Sequence, residues 1–173
     1  MTTAQHIEAI PNSRALTRAE IALFPTDFTR QFDIANVALI NRSHNPFTFG
    51  KIVVRGNKIY WPNAPKDFTR ASMDIQAVLM HELCHVWQYS TGRLTALKYL
   101  CNPKNWVYKY VLSEAKSFVD YPIEKQADLM QDWFRLNTGT HAKCFAAGQS
   151  EPSCAELNRL IPFDWNAQNF NLV

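Results

Sequence analysis

Two histidines four residues apart, in the pentapeptide His81-Glu82-Leu83-Cys84-His85, constrain this chain more than any other feature. Around them Ile75, Leu79, Leu83 and Val86 recur at the period of an α-helix, which predicts a helix from about Ser72 to Tyr89 with Gly92 as its stop. On such a helix His81 and His85 stack on one face with Cβ atoms about 5–6 Å apart, so both rings reach one ion. At about 100° per residue the pair points roughly 135° away from the apolar stripe. One side of the helix then packs on a core while the other faces a site. With five histidines in 173 residues, H-E-x-x-H arises by chance about half a percent of the time. A histidine pair turned away from the core needs a reason to be there, and a metal ion supplies one.

Two histidines do not complete a catalytic zinc site, which usually has three protein ligands and an open position. A third histidine in the pattern H-E-x-x-H-x-x-G-x-x-H is excluded, because Gln88 stands at the glycine position and Thr91 at the histidine position. A glutamate from a second helix remains. The segment Glu124-Lys125-Gln126-Ala127-Asp128 lies in the first turns of a helix expected from Pro122 to about Leu136, with Gly139 beyond it. Glu124 and Asp128 share a face, so one can bind the metal while the other accepts the outer N–H of a ligating histidine. Small Ala127 lets the helices approach closely. Glu114 is the rival ligand, but Phe118 stands four residues after it and accepts no hydrogen bond.

The rest of the chain predicts an α+β fold. Thr17 and Glu20 read as the capping box of a short helix that ends before Pro25. Short β-branched and aromatic runs follow at Val37 to Ile40, Ile52-Val53-Val54 and Ile59-Tyr60-Trp61, the last two flanking a Gly56-containing connection that suits a hairpin. We expect a small antiparallel sheet or hairpin packed on the active-site helix and on a second helix that carries the remaining ligand. Residues 1–13 are polar and read as an arm or linker end, and 14–173 as one domain. The stretch from Tyr99 to Tyr121 is aromatic and unassigned.

With 47% hydrophobic residues the chain can bury a sizeable core, and its net charge of +3 is scattered, so no basic block marks a nucleic-acid groove. No apolar run reaches the ~20 residues of a membrane span, and no signal peptide is expected at the start. Cysteines 84, 101, 144 and 154 form no metal knuckle. Cys84 reads as a small buried hydrophobe, and Cys144 and Cys154 bracket a short loop that a disulfide would close in an oxidising compartment.

Together, His81-Glu82-Leu83-Cys84-His85-Val86-Trp87-Gln88 and Tyr121-Pro122-Ile123-Glu124-Lys125-Gln126-Ala127-Asp128 resemble the gluzincin group of zinc metallopeptidases, and more closely the metallopeptidase toxin domains carried on type VI secretion spike (VgrG) and Rhs proteins. The similarity covers about residues 30–136. It implies a zincin-like fold with one zinc per chain, held by His81, His85 and Glu124, with Asp128 supporting a ligand and Glu82 as general base. It also implies a peptide, protein or peptidoglycan substrate, an immunity protein as partner, delivery by a secretion machine, and action in a target cell's periplasm. Candidates for a further donor to the reacting carbonyl are Tyr108, Tyr110, Tyr121 and His141, while His6 and His44 read as surface residues. Two alternatives stay open, a cytoplasmic bacterial protease and a non-catalytic module in which zinc ties two helices together. Glu82 argues against the second, since a structural site has no use for a carboxylate beside its ligands.

Overall fold

The computed structural model describes residues 12–95 and 109–166. The first strand, β1 (Ser13–Ala15), leads through Thr17 into α1 (Arg18–Ile21). The Thr17 hydroxyl accepts from the Glu20 N–H and the Glu20 carboxylate accepts from the Thr17 N–H, the reciprocal cap expected from the sequence. After α2 (Thr26–Thr29) come β2 (Ala38–Ile40), β3 (Val53–Arg55) and β4 (Lys58–Tyr60). Gly56 takes φ +61° at the first central position of the two-residue turn between β3 and β4, where a II′ turn favours glycine.

The strands form one sheet in the order β1-β2-β4-β3. It is mixed, so of the antiparallel sheet or hairpin expected the structure holds the hairpin, β3 with β4. The chain leaves β2, enters β3 at the far edge and turns back, so β4 slots between them antiparallel to β3 and parallel to β2. Strand β1 pairs antiparallel with β2, Ser13 opposite Ile40, where the sequence suggested the end of a polar arm.

Helix α3 (Met73–Ser90) starts at the N-cap Ser72 and stops before Gly92, which takes φ +69°. Helix α4 (Ile123–Asn137) begins one residue later than expected, with Pro122 as its N-cap. The two helices pack side by side and α3 also lies along β3. Leu79, Met80 and Leu83 of α3, Leu129, Met130, Trp133 and Phe134 of α4, and Leu39, Val54 and Ile59 of the sheet form one buried core, with Ala127 and Cys84 fully buried in it. Burying a Leu- or Phe-sized side chain contributes about 1.5–3 kcal/mol. The core therefore fixes the mutual position of α3 and α4, on which the site depends.

A last helix, α5 (Cys154–Leu160), is absent from the sequence reading although Ser153 and Glu156 form a capping box there. It docks on α4, and Trp133 Nε1 donates to Asn158 Oδ1 at 2.6 Å. The pairing expected between Cys144 and Cys154 is not made. Both thiols are free: Cys144 lies 3.5 Å from Arg135 Nη1, whereas Cys154 faces Asn137 Oδ1 at 3.3 Å. Different partners, one at the Tyr110–Phe145 bridge and one at the start of α5, hold them.

Candidate metal centre

One helical turn along α3 brings the rings of His81 and His85 edge to face, their centroids 4.8 Å apart. Their Nε2 atoms converge to 3.2 Å. Glu124, in the first turn of α4, sets Oε2 3.5 Å from His81 Nε2 and 3.4 Å from His85 Nε2. Zinc bonds of 2.0–2.2 Å at tetrahedral angles put ligand atoms about 3.3–3.5 Å apart. The three edges lie close to that triangle, and two imidazoles with one carboxylate are a donor set for a divalent transition-metal ion, zinc among them. Among the described residues this His81, His85 and Glu124 group is the cluster able to hold a metal ion.

Each ring is gripped from behind. His81 Nδ1 lies 3.4 Å from Asp128 Oδ1, and the other oxygen of Asp128 accepts the Lys109 N–H at 3.1 Å. His85 Nδ1 lies 2.8 Å from Gln88 Oε1. With both Nδ1 atoms engaged, both Nε2 atoms are left to the ion, the usual outer arrangement of ligating histidines.

The electrostatics are those of a cation site. Burial by itself would push the His81 pKa down, yet hydrogen bonds to Asp128 and Glu124 and the charge of Glu82 outweigh it and lift the value from 6.5 to about 10. Burial works against the Glu124 charge as well, but the neighbouring imidazoles of His81 and His85 hold its carboxyl well below the usual range. A proton on His81 Nε2 and a metal ion are alternatives at one point. Glu82 differs from both. Burial raises its pKa, opposed only in part by the nearby histidines, and no described group donates a hydrogen bond to it.

The chain that gathers these residues on two helices is similar to known proteins. A search of curated proteins finds the type VI secretion system spike protein VgrG2b of Pseudomonas aeruginosa PAO1, 29% identical over 133 residues, 70% of this chain and 13% of that protein's length. Among solved structures, the effector domain of Pseudomonas aeruginosa VgrG2b superposes with a TM-score of 0.66 at 23% identity, covering 88% of this chain and 83% of that one. The chain has the fold of that domain. No family model matches.

Other expected site residues have partners of their own. Glu114 is exposed and takes no part in the metal cluster. Tyr110 is fully buried and donates its hydroxyl to Asp132 at 3.0 Å. The Tyr121 hydroxyl accepts the Ser113 N–H at 3.0 Å, so it clamps a loop. His141 has its side chain 89% exposed, with Nδ1 3.2 Å from Glu151 Oε1. His44 packs on the Tyr60 ring, and His6, Cys101 and Tyr108 lie outside the described residues. Sequence reasoning missed the work of Gln88, which contacts His85 on its own helix and Ile123 and Gln126 on α4, 35 and 38 residues away, and that of Gln126 beyond it.

Proposed function

We propose that this domain is a zinc-dependent peptidase and acts as a type VI secretion effector. The observation that carries the reading is the convergence of His81, His85 and Glu124 at tetrahedral spacing beside a buried carboxylate, Glu82, that receives no hydrogen bond from any described group. Zinc bound there would supply Lewis acidity, polarising a carbonyl and acidifying water. Glu82, next in sequence to the ligand His81, takes the proton of the attacking water on its carboxylate and passes it to the leaving amine. Its raised pKa suits both transfers, since a base that is too weak takes no proton and one that is too strong returns none. Asp128 and Gln88 keep the two rings aimed.

A peptide substrate fits the scaffold. Strand β3 is the edge of the sheet, pairs on one side with β4 and lies along α3, to which Arg55 is tied through the Tyr89 hydroxyl at 3.1 Å. An extended chain laid on that edge gains backbone hydrogen bonds. Similarity to a spike-protein effector domain supports delivery into a target cell. We place its action in the periplasm, on protein or peptidoglycan stem peptides, with an immunity protein as the producer's safeguard. No helix among the described residues is long and apolar enough to cross a membrane.

Metal analysis of purified protein should find one zinc per chain, lost in His81→Ala and in His85→Ala. Expression directed to a bacterial periplasm should be toxic for the wild type and harmless for His81→Ala. A wild type without zinc overturns the reading.

A further inference from the structure

We propose that Gln126 and Gln88 form a buried relay that fixes His85 in its Nδ1–H tautomer, with the direction of every hydrogen bond dictated by backbone carbonyls at the start of α4. Both glutamines are nearly sealed from water, Gln88 at 0% and Gln126 at 2% exposure. The Gln126 amide nitrogen lies 2.7 Å from the Tyr121 carbonyl oxygen and 3.4 Å from that of Val119. A carbonyl only accepts, so this end of Gln126 must be its NH2 group, and its Oε1 must point the other way.

What it points at is Gln88. Gln126 Oε1 accepts from Gln88 Nε2 at 3.0 Å, and the same nitrogen donates to the Ile123 carbonyl at 3.0 Å. Reversing the Gln88 amide would set its oxygen against two acceptors and leave buried polar groups unpaired, which is unfavourable. Gln88 Oε1 is therefore the atom facing His85 Nδ1 at 2.8 Å, and an oxygen there requires a proton on Nδ1. The neutral ring then has its lone pair on Nε2. That atom faces His81 Nε2 and Glu124 Oε2 at 3.2 and 3.4 Å.

A lone pair aimed at a carboxylate oxygen is unfavourable unless a positive centre lies between them, as a protonated His81 or a metal ion provides. Imidazole free in water prefers its proton on Nε2, so the relay holds the less common form before any ion arrives. The chain also couples the two helices. Because Ile123 precedes Glu124, the bond that orients His85 anchors the backbone carrying the third ligand. Gln88 and Gln126 are positioning residues, since neither touches the converging donor atoms.

The purpose of the tautomer rests on the zinc reading, but the tautomer itself does not, and the experiment separates them. Long-range proton–nitrogen NMR of the zinc-stripped, 15N-labelled protein at alkaline pH, with the His85 signals assigned by their loss in His85→Asn, should show the Nδ1–H pattern in the wild type. In Gln88→Leu the ring should revert to Nε2–H and the zinc dissociation constant, read by chelator competition, should rise roughly 10–100-fold, as changes behind a ligand do. A wild type with the Nε2–H pattern overturns the relay, and so does a folded Gln88→Leu whose His85 keeps Nδ1–H, whereas a folded Gln88→Leu that reverts to Nε2–H yet binds zinc like the wild type overturns the purpose given to it. If Gln88→Leu does not fold, the wild-type spectrum alone decides. A wild type that binds no zinc yet shows Nδ1–H refutes the proposed function and leaves the relay standing.

Discussion

Glu20 and Glu82 are both carboxylates taken out of water on a helix, and the molecule treats them in opposite ways. Glu20, in the corner between β1 and α1, is fully buried but surrounded by donors: both Arg14 Nη atoms at 2.7 Å, the Phe68 N–H at 2.9 Å and the Thr17 N–H at 2.8 Å. Burial alone would raise its pKa, and these donors more than compensate and lower it. Glu82 is nearly as buried, has no such donors among the described residues, and its pKa rises. A satisfied carboxylate ties segments together and has no spare lone pair for chemistry. One without protein donors keeps its affinity for a proton, as a general base must.

The sharpest way to break the comparison is to neutralise each carboxylate in turn. Glu82→Gln should lower peptidase activity by about 10²–10⁴-fold, the usual worth of a general base, while zinc content and melting temperature hold or the latter rises. Activity at the wild-type level would remove Glu82 from the mechanism. Glu124 stands between the two cases, buried and held ionised by two histidines. Glu124→Ala should weaken zinc binding beyond the roughly 100-fold reached by changes behind a ligand, whereas exposed Glu114→Ala should leave it unchanged. The reverse result in a zinc titration would reassign the third ligand.

For Glu20→Gln the loss should appear in stability instead. Arg14 loses its counter-charge and the amide cannot accept from all four donors at once, so about 3 kcal/mol should go. In a chain of this size that is a fall of roughly 6–12 °C in melting temperature. Zinc content should not change. A variant as stable as the wild type would mean that the donors around Glu20 merely coincide with it.

The difference between these regions also explains what was legible in the sequence. His81, Glu82, His85 and Glu124 could be found because helical periodicity places them, and period is a local property. The Thr17–Glu20 cap was legible for the same reason, and α5 would have been, since Ser153 and Glu156 carry the same signal. Strand β1 was not, because Ser13–Ala15 is a strand only through its pairing with β2 some 25 residues on. Nor was the mixed sheet, whose parallel pair depends on the order in which strands β2, β3 and β4 assemble. Gln88 was visible as a departure from a histidine-glycine pattern, but its function depends on the Ile123 carbonyl and on Gln126, which no spacing rule links to it. Capture of Glu20 by Arg14 and by the N–H of Phe68, 48 residues away, belongs to the same class.

The smallest expected effect tests why Glu20 matters. Its pKa in the folded chain lies below the ordinary value of 4.5, so the folded state binds the proton less readily than the unfolded state does. Its stabilisation is therefore fully present above about pH 4.5 and is lost as pH falls through the folded-state value. The gap in melting temperature between wild type and Glu20→Gln should accordingly be widest near pH 7 and shrink progressively below pH 4.5, as the wild-type carboxyl takes up its proton and comes to resemble the amide. Any metal ion released on acidification is released by both proteins, so that common change cancels in the difference. A gap that stays constant from pH 7 to pH 3 would show that Glu20 acts through shape and neutral hydrogen bonds, and the contrast with Glu82 would then lie in packing and not in charge.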